Sequence, residues 1–434
     1  MVEGFLPMNK MIIEAERRLT VVEEMDVVVC GAGPAGVCAA IAAARTGART
    51  FLIENAGCLG GTWTAGLLGW IIDHINKGGL LKELKNEIYS RGGTALNTES
   101  WSMPFDIEVM KLLLEEKCRQ AEVRVRLHTR VVGVVKDAAG KIDAVITESK
   151  SGREAWRAKI VIDATGDGDV GFFAGCRYAL GNPENGLTQP MSLLCLISGL
   201  DLEACKKYVN GYSSDWITAA SSLKADLEAG GVSPSYAFPS LFLLVDGLYF
   251  LMANHQYKKL ATSADDVTAA TMTGRREINA QIAALRLQGG GWKNIRLVAT
   301  AEHIGTREGR RLKGLYEVTD DDAMNGVRHD DAICRVTCGL DVHSLDSEHN
   351  KGIEKGKFKA QPYDIPLRAL ISADIPNLMM AGRCISGDFL VHSSYRVTGV
   401  AASLGEAAGV TAALAAGKGI NPVAVSFAEV KAKL

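Results

Sequence analysis

A short glycine turn between an apolar run and an alanine-rich segment constrains the fold of this chain more than any other feature. Residues 25–30 (MDVVVC) are rich in β-branched side chains, which is typical of a strand buried on both faces. Gly31, Gly33 and Gly36 follow in the spacing G-x-G-x-x-G, and residues 34–47 have the composition of a helix. The first glycine permits the tight bend, the second lets a diphosphate approach the backbone, and the third lets the helix pack on the strand. The segment therefore predicts a β-α-β unit that binds a dinucleotide at the amino end of its helix.

A carboxylate ends the second strand of this unit, at the sequence separation from the first glycine that is typical of a dinucleotide site. Residues 49–54 (RTFLIE) form a second apolar run, and Glu54 ends it 23 positions after Gly31. An acidic side chain at that place is suited to the ribose hydroxyls of an adenosine. We expect the neighbouring Asn55 to contact the nucleotide as well.

The rest of the chain predicts an α/β fold in which a second domain interrupts the first. Alternating runs followed by a buried run are typical of an antiparallel β-meander, and the later pattern is less regular. The predicted elements are helices at 34–47, 105–121, 201–208, 265–287 and 400–416, and strands at 25–30, 49–54, 123–136, 142–149, 158–165, 241–252 and 377–381.

These elements predict two domains. Residues 1–184 and 366–434 are expected to form a Rossmann-like nucleotide-binding domain with a β-meander. Residues 185–365 are expected to form an inserted α+β domain that binds the substrate.

Three later segments favour FAD over NAD as the dinucleotide. A glycine pair before Thr62 provides flexible backbone for the middle of an extended cofactor, and residues 162–169 (IDATGDGD) bring another glycine turn to the same crevice. Gly382 and Arg383 precede the C-terminal helix, whose positive end suits the edge of a reduced flavin. The predicted cofactor-binding residues are Gly31, Gly33, Pro34, Ala35, Gly36, Glu54, Asn55, Gly60, Gly61, Thr62, Val131, Ala164, Thr165, Gly166, Gly382, Arg383, Val397, Gly399 and Val400.

Six segments between about residues 25 and 415 carry a resemblance to a known family. They are DVVVCGAGPAGVCAAIAAARTGARTFLIE, CLGGTWTAGL, AKIVIDATGDGDVGFFAG, HIGTREGRRLKGLY, NLMMAGRCISGDFLVHSSYRVTG and LGEAAGVTAAL. The chain resembles the FAD-dependent oxidoreductases of the glutathione-reductase-like flavoprotein group, and the resemblance implies an arrangement of the fumarate-reductase type. The sequence departs from the family's usual Arg-Glu-Thr-Arg-Arg run, which reads Arg307-Glu308-Gly309-Arg310-Arg311 here.

The sequence lacks two motifs that would indicate how electrons enter or leave the flavin. A second G-x-G-x-x-G for NAD(P)H is missing, because the glycine cluster 289–291 runs directly into Trp292. No C-x-x-C cysteine pair occurs either. We therefore expect electrons to enter from a substrate C–H bond or to leave to a diffusible acceptor, whose identity stays open.

The segment 388–396 contains the two predicted catalytic residues. His392 lies between the last buried strand and the C-terminal helix, and an ordinary histidine pKa of about 6.5 suits a base near neutral pH. Arg396 is expected to hold a substrate oxyanion or the flavin edge. For both residues the alternative is a structural role, as a hydrogen bond to the backbone or as a salt bridge.

Two further polar pairs are candidates for the wall of the substrate pocket. They are Glu302 with His303 and Asp341 with His343, and the alternative for each is an ordinary buried hydrogen-bonded group. We predict no metal site, because Asp341, His343 and His349 would still need a fourth ligand.

The composition limits which partners the protein is expected to bind and in which cellular compartment it is expected to work. Hydrophobic residues make up 47% and charged residues 23% of the 434 residues, and the net charge of -2 gives no electrostatic grip on nucleic acid or on an anionic membrane. The first residues lack the basic and then apolar pattern of a signal peptide, and the 10 cysteines occur singly. We expect a cytoplasmic protein with a small-molecule substrate, and its oligomeric state stays open.

The predicted function is hydride transfer between FAD and a small metabolite. The family resemblance implies a hydroxyl-bearing, sugar-like substrate. One alternative is a fumarate-reductase-like enzyme for a C=C bond or a carboxylate, with Arg307, Arg310 and Arg311 as a carboxylate clamp. The other alternative is a flavoprotein without catalytic activity.

Overall fold

The structure is a computed structural model that describes residues 12, 14–94, 102–212, 215–348, 350–354 and 359–434. The described strands are β1 (Val21–Cys30), β2 (Thr50–Ile53), β3 (Trp70–Ile72), β4 (Ser102–Pro104), β5 (Arg124–Arg126), β6 (Arg130–Lys136), β7 (Ile142–Ser149), β8 (Gly152–Asp163), β9 (Tyr178–Ala179), β10 (Cys195–Ser198), β11 (Val209–Asn210), β12 (Ser240–Val245), β13 (Leu248–Met252), β14 (Arg296–Thr300), β15 (Arg311–Leu312), β16 (Ala332–Val336), β17 (Tyr363–Pro366) and β18 (Leu378–Met380). The described α-helices are α1 (Pro34–Arg45), α2 (Gly79–Ser90), α3 (Ile107–Gln120), α4 (Asp169–Ala174), α5 (Leu202–Cys205), α6 (Trp216–Ala229), α7 (Ala264–Leu287), α8 (Asp320–Asn325), α9 (Phe389–Tyr395), α10 (Thr398–Lys418) and α11 (Phe427–Lys431).

The main sheet has a parallel half and an antiparallel half. Its described strands follow the order β5-β2-β1-β8-β7-β6, and β18 also pairs with β8. Strands β5, β2, β1, β8 and β18 are parallel, whereas β8, β7 and β6 form an antiparallel meander. The residues of β1 from Val27 to Cys30 are fully buried, as the apolar run predicts for a strand covered on both faces. The predicted α/β fold with a Rossmann-like unit and a meander is confirmed.

Strand β8 joins the meander to the returning C-terminal segment. Its residues 152–157 pair with β7, and its residues 161–163 pair with β18. The Asn377 side chain holds this junction, since it accepts from Ile142 N at 2.9 Å and donates to Ile142 O at 2.9 Å and to Lys159 O at 3.1 Å. One long strand therefore aligns the two parts of the nucleotide-binding domain.

A second sheet lies within the segment that the sequence predicts as an insertion. Its described strands follow the order β11-β12-β13-β10-β14, between residues 195 and 300. The single strand predicted at 241–252 is wrong, because Asp246 and Gly247 form a tight turn between β12 and β13, with Gly247 at φ 76°. Asp-Gly is a strong hairpin signal, and the continuous apolar run around it masked that signal.

The chain returns to the first domain in several steps. Strand β15 pairs with β9, and Gly314 pairs with Ser372 in an isolated bridge. Both pairings involve residues before the expected return at 366, and the boundaries 1–184, 185–365 and 366–434 stay predictions.

Helix α10 packs on α1 through backbone contacts that only glycine allows. A Cβ atom at Gly405 would lie 2.0 Å from Ala35 O, and one at Gly409 would lie 2.1 Å from Ala39 O. Among the described residues, α10 is the helix whose length and composition would suit a membrane span, but 83% of its apolar window is buried inside the fold. Its apolar character therefore belongs to the protein core.

Gly409→Ala is expected to lower the free energy of unfolding by about 1–3 kcal/mol, because its Cβ would overlap the backbone of α1. Gly417→Ala is the matched control in the same helix, since no atom lies within 4 Å of its Cβ position. The control should stabilise the protein by up to about 1 kcal/mol through helix propensity. Denaturant unfolding of both variants measures the difference, and equal effects would contradict the packing.

Candidate active site

A connected cavity of about 1800 Å³ has walls from both large sheets. Typical ligand sites have volumes of about 300–1000 Å³. The cavity therefore has room for an extended dinucleotide together with a second molecule. One of its ends is formed by the turns after β1, β2, β8 and β18, and the other is formed by the second sheet and the residues around Asp341.

The turn after β1 forms a backbone cradle at the amino end of α1. Gly31 has φ 92°, and a Cβ atom there would lie 2.5 Å from Ala164 O. Gly33 is the N-cap of α1 and lines the cavity, and no atom lies within 4 Å of its Cβ position. Free backbone N–H groups and the helix dipole at this place suit a diphosphate. The open space at Gly33, next to the close-packed Gly31, fits the dinucleotide that the sequence predicts.

Glu54 connects two turns at the wall of this cradle. Its Oε2 accepts from Ala32 N at 2.7 Å, and its Oε1 accepts from Ala56 N at 2.8 Å. Glu54 is buried but lines the cavity beside Asn55 and Val131. Each carboxylate oxygen has a further lone pair, so Glu54 can still accept from a ribose hydroxyl.

The turn after β8 is shaped by a buried carboxylate. Asp163 accepts from Thr165 N at 3.1 Å, from Thr165 Oγ1 at 2.7 Å and from Gly171 N at 2.9 Å. Burial raises the pKa of Asp163 to about 6 despite these bonds. The bonds hold Ala164, Thr165 and Gly166 against the cavity.

The turn after β18 closes the same end of the cavity. Gly382 has φ 84°, and the Arg383 guanidinium lies over Gly166, with Nη2 only 2.7 Å from the Cβ position of that glycine. Arg383 Nη1 donates to Thr306 O at 2.7 Å, and Nη2 donates to Asp167 Oδ1 at 2.8 Å. Arg383 therefore ties the two turns to the segment that enters the substrate end.

Most residues that the sequence predicts for the site share this cavity. Those that line it are Gly31, Gly33, Pro34, Ala35, Glu54, Asn55, Gly61, Thr62, Val131, Ala164, Thr165, Gly166, Gly382, Arg383, Arg396 and Val397. Their contact with FAD stays a prediction, and their common location agrees with it.

Four predicted cofactor residues, Gly36, Gly60, Gly399 and Val400, are not in the cavity wall. A Cβ at Gly36 would lie 1.8 Å from Gly31 O, and one at Gly399 would lie 2.4 Å from Asp73 O. Gly60 has φ 106° and donates to Ala32 O, while Val400 is fully buried. These residues hold the walls together, and their contact with the cofactor stays a prediction.

His392 also lies outside the cavity wall, although the sequence predicts it as the base. It is fully buried in α9, and its Nε2 lies 3.0 Å from Arg383 O. Burial, together with the guanidinium of Arg311, lowers the pKa of His392 well below its usual value. This placement gives His392 the structural role that the sequence analysis kept as its alternative.

Arg396 lies at the substrate end and contacts a carboxylate, as the alternative interpretation of this residue expects. Its Nη2 donates to Asp341 O at 2.8 Å and to Gln189 Oε1 at 3.2 Å, and it lies 3.4 Å from Asp341 Oδ2. The buried Nε has no hydrogen-bond partner among the described residues. Arg396 therefore has a free donor and remains available to a ligand.

Asp341 and His343 form a polar pair in the cavity wall. His343 Nε2 lies 3.3 Å from Asp341 Oδ2, and the buried Nδ1 has no hydrogen-bond partner among the described residues. Burial and the Arg307 guanidinium lower the pKa of His343 to about 4. Burial raises the pKa of Asp341, but His343 and Arg396 outweigh it and hold that pKa below its usual value. The imidazole is therefore neutral at pH 7.

The second predicted pair, Glu302 and His303, also lines the cavity. Both backbone N–H groups donate to Ala65 O, at 3.1 Å and 3.2 Å. Within the described residues no group of three metal-ligating side chains occurs, and His349 lies outside those residues.

Sequence reasoning missed the aromatic part of the wall. Trp70 and Phe242 lie with ring centroids 4.4 Å apart, and Tyr236 faces His255 at 4.1 Å. Trp70, Phe242 and Tyr236 line the cavity. Since these residues come from distant segments, only the tertiary fold brings them together. Sequence spacing therefore gave no signal for them.

These features are those of a dinucleotide-binding protein whose cavity continues beyond the cofactor end. The part walled by the second sheet and the residues around Asp341, called the chamber below, has room for a second molecule. The chain belongs to the FAD dependent oxidoreductase family, whose model matches residues 26–434. It is therefore a FAD-dependent enzyme, as the sequence predicts.

Solved structures support the fold. A geranylgeranyl bacteriochlorophyll reductase-like protein from Thermoplasma acidophilum is 15% identical with a TM-score of 0.50, over 91% of this chain and 78% of that chain. A flavin-dependent brominase is 14% identical (TM-score 0.48, 94% and 83% covered), and a myxobacterial chondrochloren halogenase is 12% identical (TM-score 0.46, 95% and 78% covered). The finer resemblance to glutathione-reductase-like and fumarate-reductase-type flavoproteins stays a prediction. No curated protein sequence matches the chain.

Gly33→Val is expected to weaken FAD binding at least about tenfold while the protein stays folded, because the new side chain extends into the cavity from an open position. Gly36→Val is the contrasting variant, since its Cβ would overlap Gly31 O and should lower stability. The ratio of flavin to protein absorbance, measured beside thermal unfolding, separates the two effects. Full FAD content in Gly33→Val would contradict the cradle.

Proposed function

We propose that this FAD-dependent oxidoreductase dehydrogenates a small hydroxyl-bearing metabolite by hydride transfer to the flavin. FAD, when bound, supplies the hydride acceptor. The chain must then bind the substrate, accept the hydroxyl proton and exclude water. The observation that carries the proposal is the position of the Asp341–His343 pair in the wall of the chamber beyond the cofactor end.

In this proposal His343 is the proton acceptor. A proton on Nε2 donates to Asp341 and leaves the lone pair on the unpartnered Nδ1 free. Because the pKa of His343 is about 4, the ring is unprotonated at neutral pH and can accept a proton, although as a weak base. Asp341 keeps the tautomer and stabilises the charged ring that forms.

The aromatic wall and the two arginines give the chamber its shape and charge. Trp70, Phe242 and Tyr236 provide apolar surface for the carbon skeleton. Arg307 and Arg396 provide donors for an oxygen that gains negative charge. Together these residues support a substrate that is small, polar on one side and apolar on the other.

The fumarate-reductase-like alternative has lost part of its support. Its carboxylate clamp needs Arg307, Arg310 and Arg311, but Arg310 pairs with Asp169 at 3.0 Å and Arg311 pairs with buried Glu308 at 2.5 Å. Arg307 alone remains as a cation for a carboxylate. We keep reduction of a C=C bond as a second candidate because this half-buried guanidinium lines the cavity.

Anaerobic flavin reduction by candidate metabolites tests the proposal. Polyols, sugars and hydroxy acids should bleach the bound flavin if the enzyme is a dehydrogenase. Enones and unsaturated acids should instead reoxidise the flavin after photoreduction if it reduces C=C bonds. A flavin that none of these compounds reduces or reoxidises would contradict both candidates.

His343→Gln keeps a donor toward Asp341 and removes the free ring nitrogen. We expect flavin reduction by the substrate to slow by about 10²–10⁴-fold at unchanged FAD content. In the wild type the rate for the free enzyme should fall as the pH drops through about 4, because the ring is then protonated and no longer a base. His392→Gln should keep the rate per bound flavin, and a large loss there would restore His392 as the base.

We also propose that the enzyme works in the cytoplasm on a small molecule, without nucleic acid or membrane partners. The support is the net charge of -2 and the presence of only free cysteines among the described residues. The electron acceptor is proposed to be diffusible.

A further inference from the structure

We propose that the substrate carries one carboxylate group and that Arg307 binds it, which deepens the proposed function and rests on it. The proposed substrate class is therefore a small hydroxy acid, with the carboxylate and the reacting carbon held in the same chamber.

Arg307 differs from the other half-buried arginines of the cavity wall in having no carboxylate partner. Arg383 lies 2.8 Å from Asp167, Arg310 lies 3.0 Å from Asp169, and Arg396 lies 3.4 Å from Asp341. Arg307 forms no such ion pair with any described residue, and it donates only to neutral acceptors. They are Pro190 O at 2.7 Å, Ser192 Oγ at 2.9 Å and, weakly, Met252 Sδ at 3.9 Å.

The group of charges around Arg307 therefore has one positive charge in excess. The guanidinium groups of Arg307 and Arg396 act there on one carboxylate, that of Asp341, and His343 is neutral at pH 7. Burial and the neighbouring Arg396 lower the pKa of Arg307 to about 10, which still leaves it charged at neutral pH. An uncompensated charge in a protein interior is costly, and a ligand of opposite charge removes that cost.

Two unpaired N–H groups lie near this cation, in addition to the unpartnered Nδ1 of His343. Arg396 Nε and Gln189 Nε2 are buried and have no hydrogen-bond partner among the described residues. Gln189 Oε1 already accepts from Arg396 and from His343 N. These two N–H groups lack an acceptor, and an anionic oxygen is the acceptor that such groups bind most strongly.

A carboxylate fits this surplus better than a phosphate. A phosphate carries about two negative charges near neutral pH, whereas the excess here is one. The planar guanidinium fork matches the two oxygens of a carboxylate. The aromatic surface of Trp70 and Phe242 lies in the same cavity and suits the remaining carbon skeleton.

The test measures binding of carboxylates to the oxidised holoenzyme. Propionate and benzoate are titrated while the visible flavin spectrum and the heat of binding are recorded, and propionamide and benzamide serve as neutral isosteres. We expect the acids to bind at least tenfold more tightly than the amides. Equal binding of acid and amide would overturn the proposal.

Variants locate the binding site. Arg307→Gln should weaken propionate binding at least tenfold, and Arg307→Lys should recover part of it. Arg275→Gln, an exposed arginine of α7 that contacts Thr300, is the control with unchanged binding. If Arg307→Gln fails to fold, Arg307→Lys still decides, because loss of the bidentate fork should weaken the acid and leave the amide unaffected. Undiminished propionate binding in both variants would overturn the assignment.

The anionic reduced flavin is the other source of negative charge for Arg307. In that case the oxidised holoenzyme would not bind carboxylates, and Arg307→Gln would change only the flavin potential, which overturns the proposal. Failure of the proposed function gives a different result. Carboxylates would bind through Arg307, but no hydroxy compound would bleach the flavin. If neutral polyols bleach it and acids do not bind, the proposed function stands and this inference fails.

Discussion

The cofactor end of the cavity depends on glycine residues at which one backbone segment packs directly against another. Gly31 lies against Ala164 O, and Gly36 lies against Gly31 O. Gly405 and Gly409 bring α10 equally close to α1. These contacts set the position of the amino end of α1 relative to the turns after β8 and β18. A side chain at any of them would separate the surfaces that together form the cradle.

The strand, turn and helix of the β-α-β unit could be predicted because residues close together in the sequence determine them. A β-branched run, a glycine spacing and a carboxylate 23 positions later specify strand, turn, helix and strand almost without reference to the rest of the chain. The roles of His392, Gly399 and Val400 could not be predicted in this way. The side of α9 or α10 that meets the cavity depends on distant partners such as Asp73, whose carbonyl lies against Gly399.

The arginines likewise show that the sequence alone does not reveal which charged side chains are paired. In the sequence, Arg307, Arg310 and Arg311 look equivalent, and a clamp of three cations is a natural interpretation. In the fold, two of them are neutralised by Asp169 and Glu308, so their charges serve the scaffold. The remaining cation faces the chamber. The sequence spacing of the arginines does not reveal these ion pairs with distant carboxylates. The ion pairs distinguish the arginines that stabilise the protein from the one that can select a ligand.

The shared strand β8 has a consequence for how the enzyme matures on the ribosome. Its residues 161–163 acquire their neighbour β18 only after about 200 further residues have been synthesised. Until then the emerging polypeptide presents an unsatisfied parallel edge, which is prone to aggregation. The turn after β18 is also absent during that time. Flavin capture must therefore wait until translation is nearly complete, so the cofactor cannot protect the nascent chain during that time.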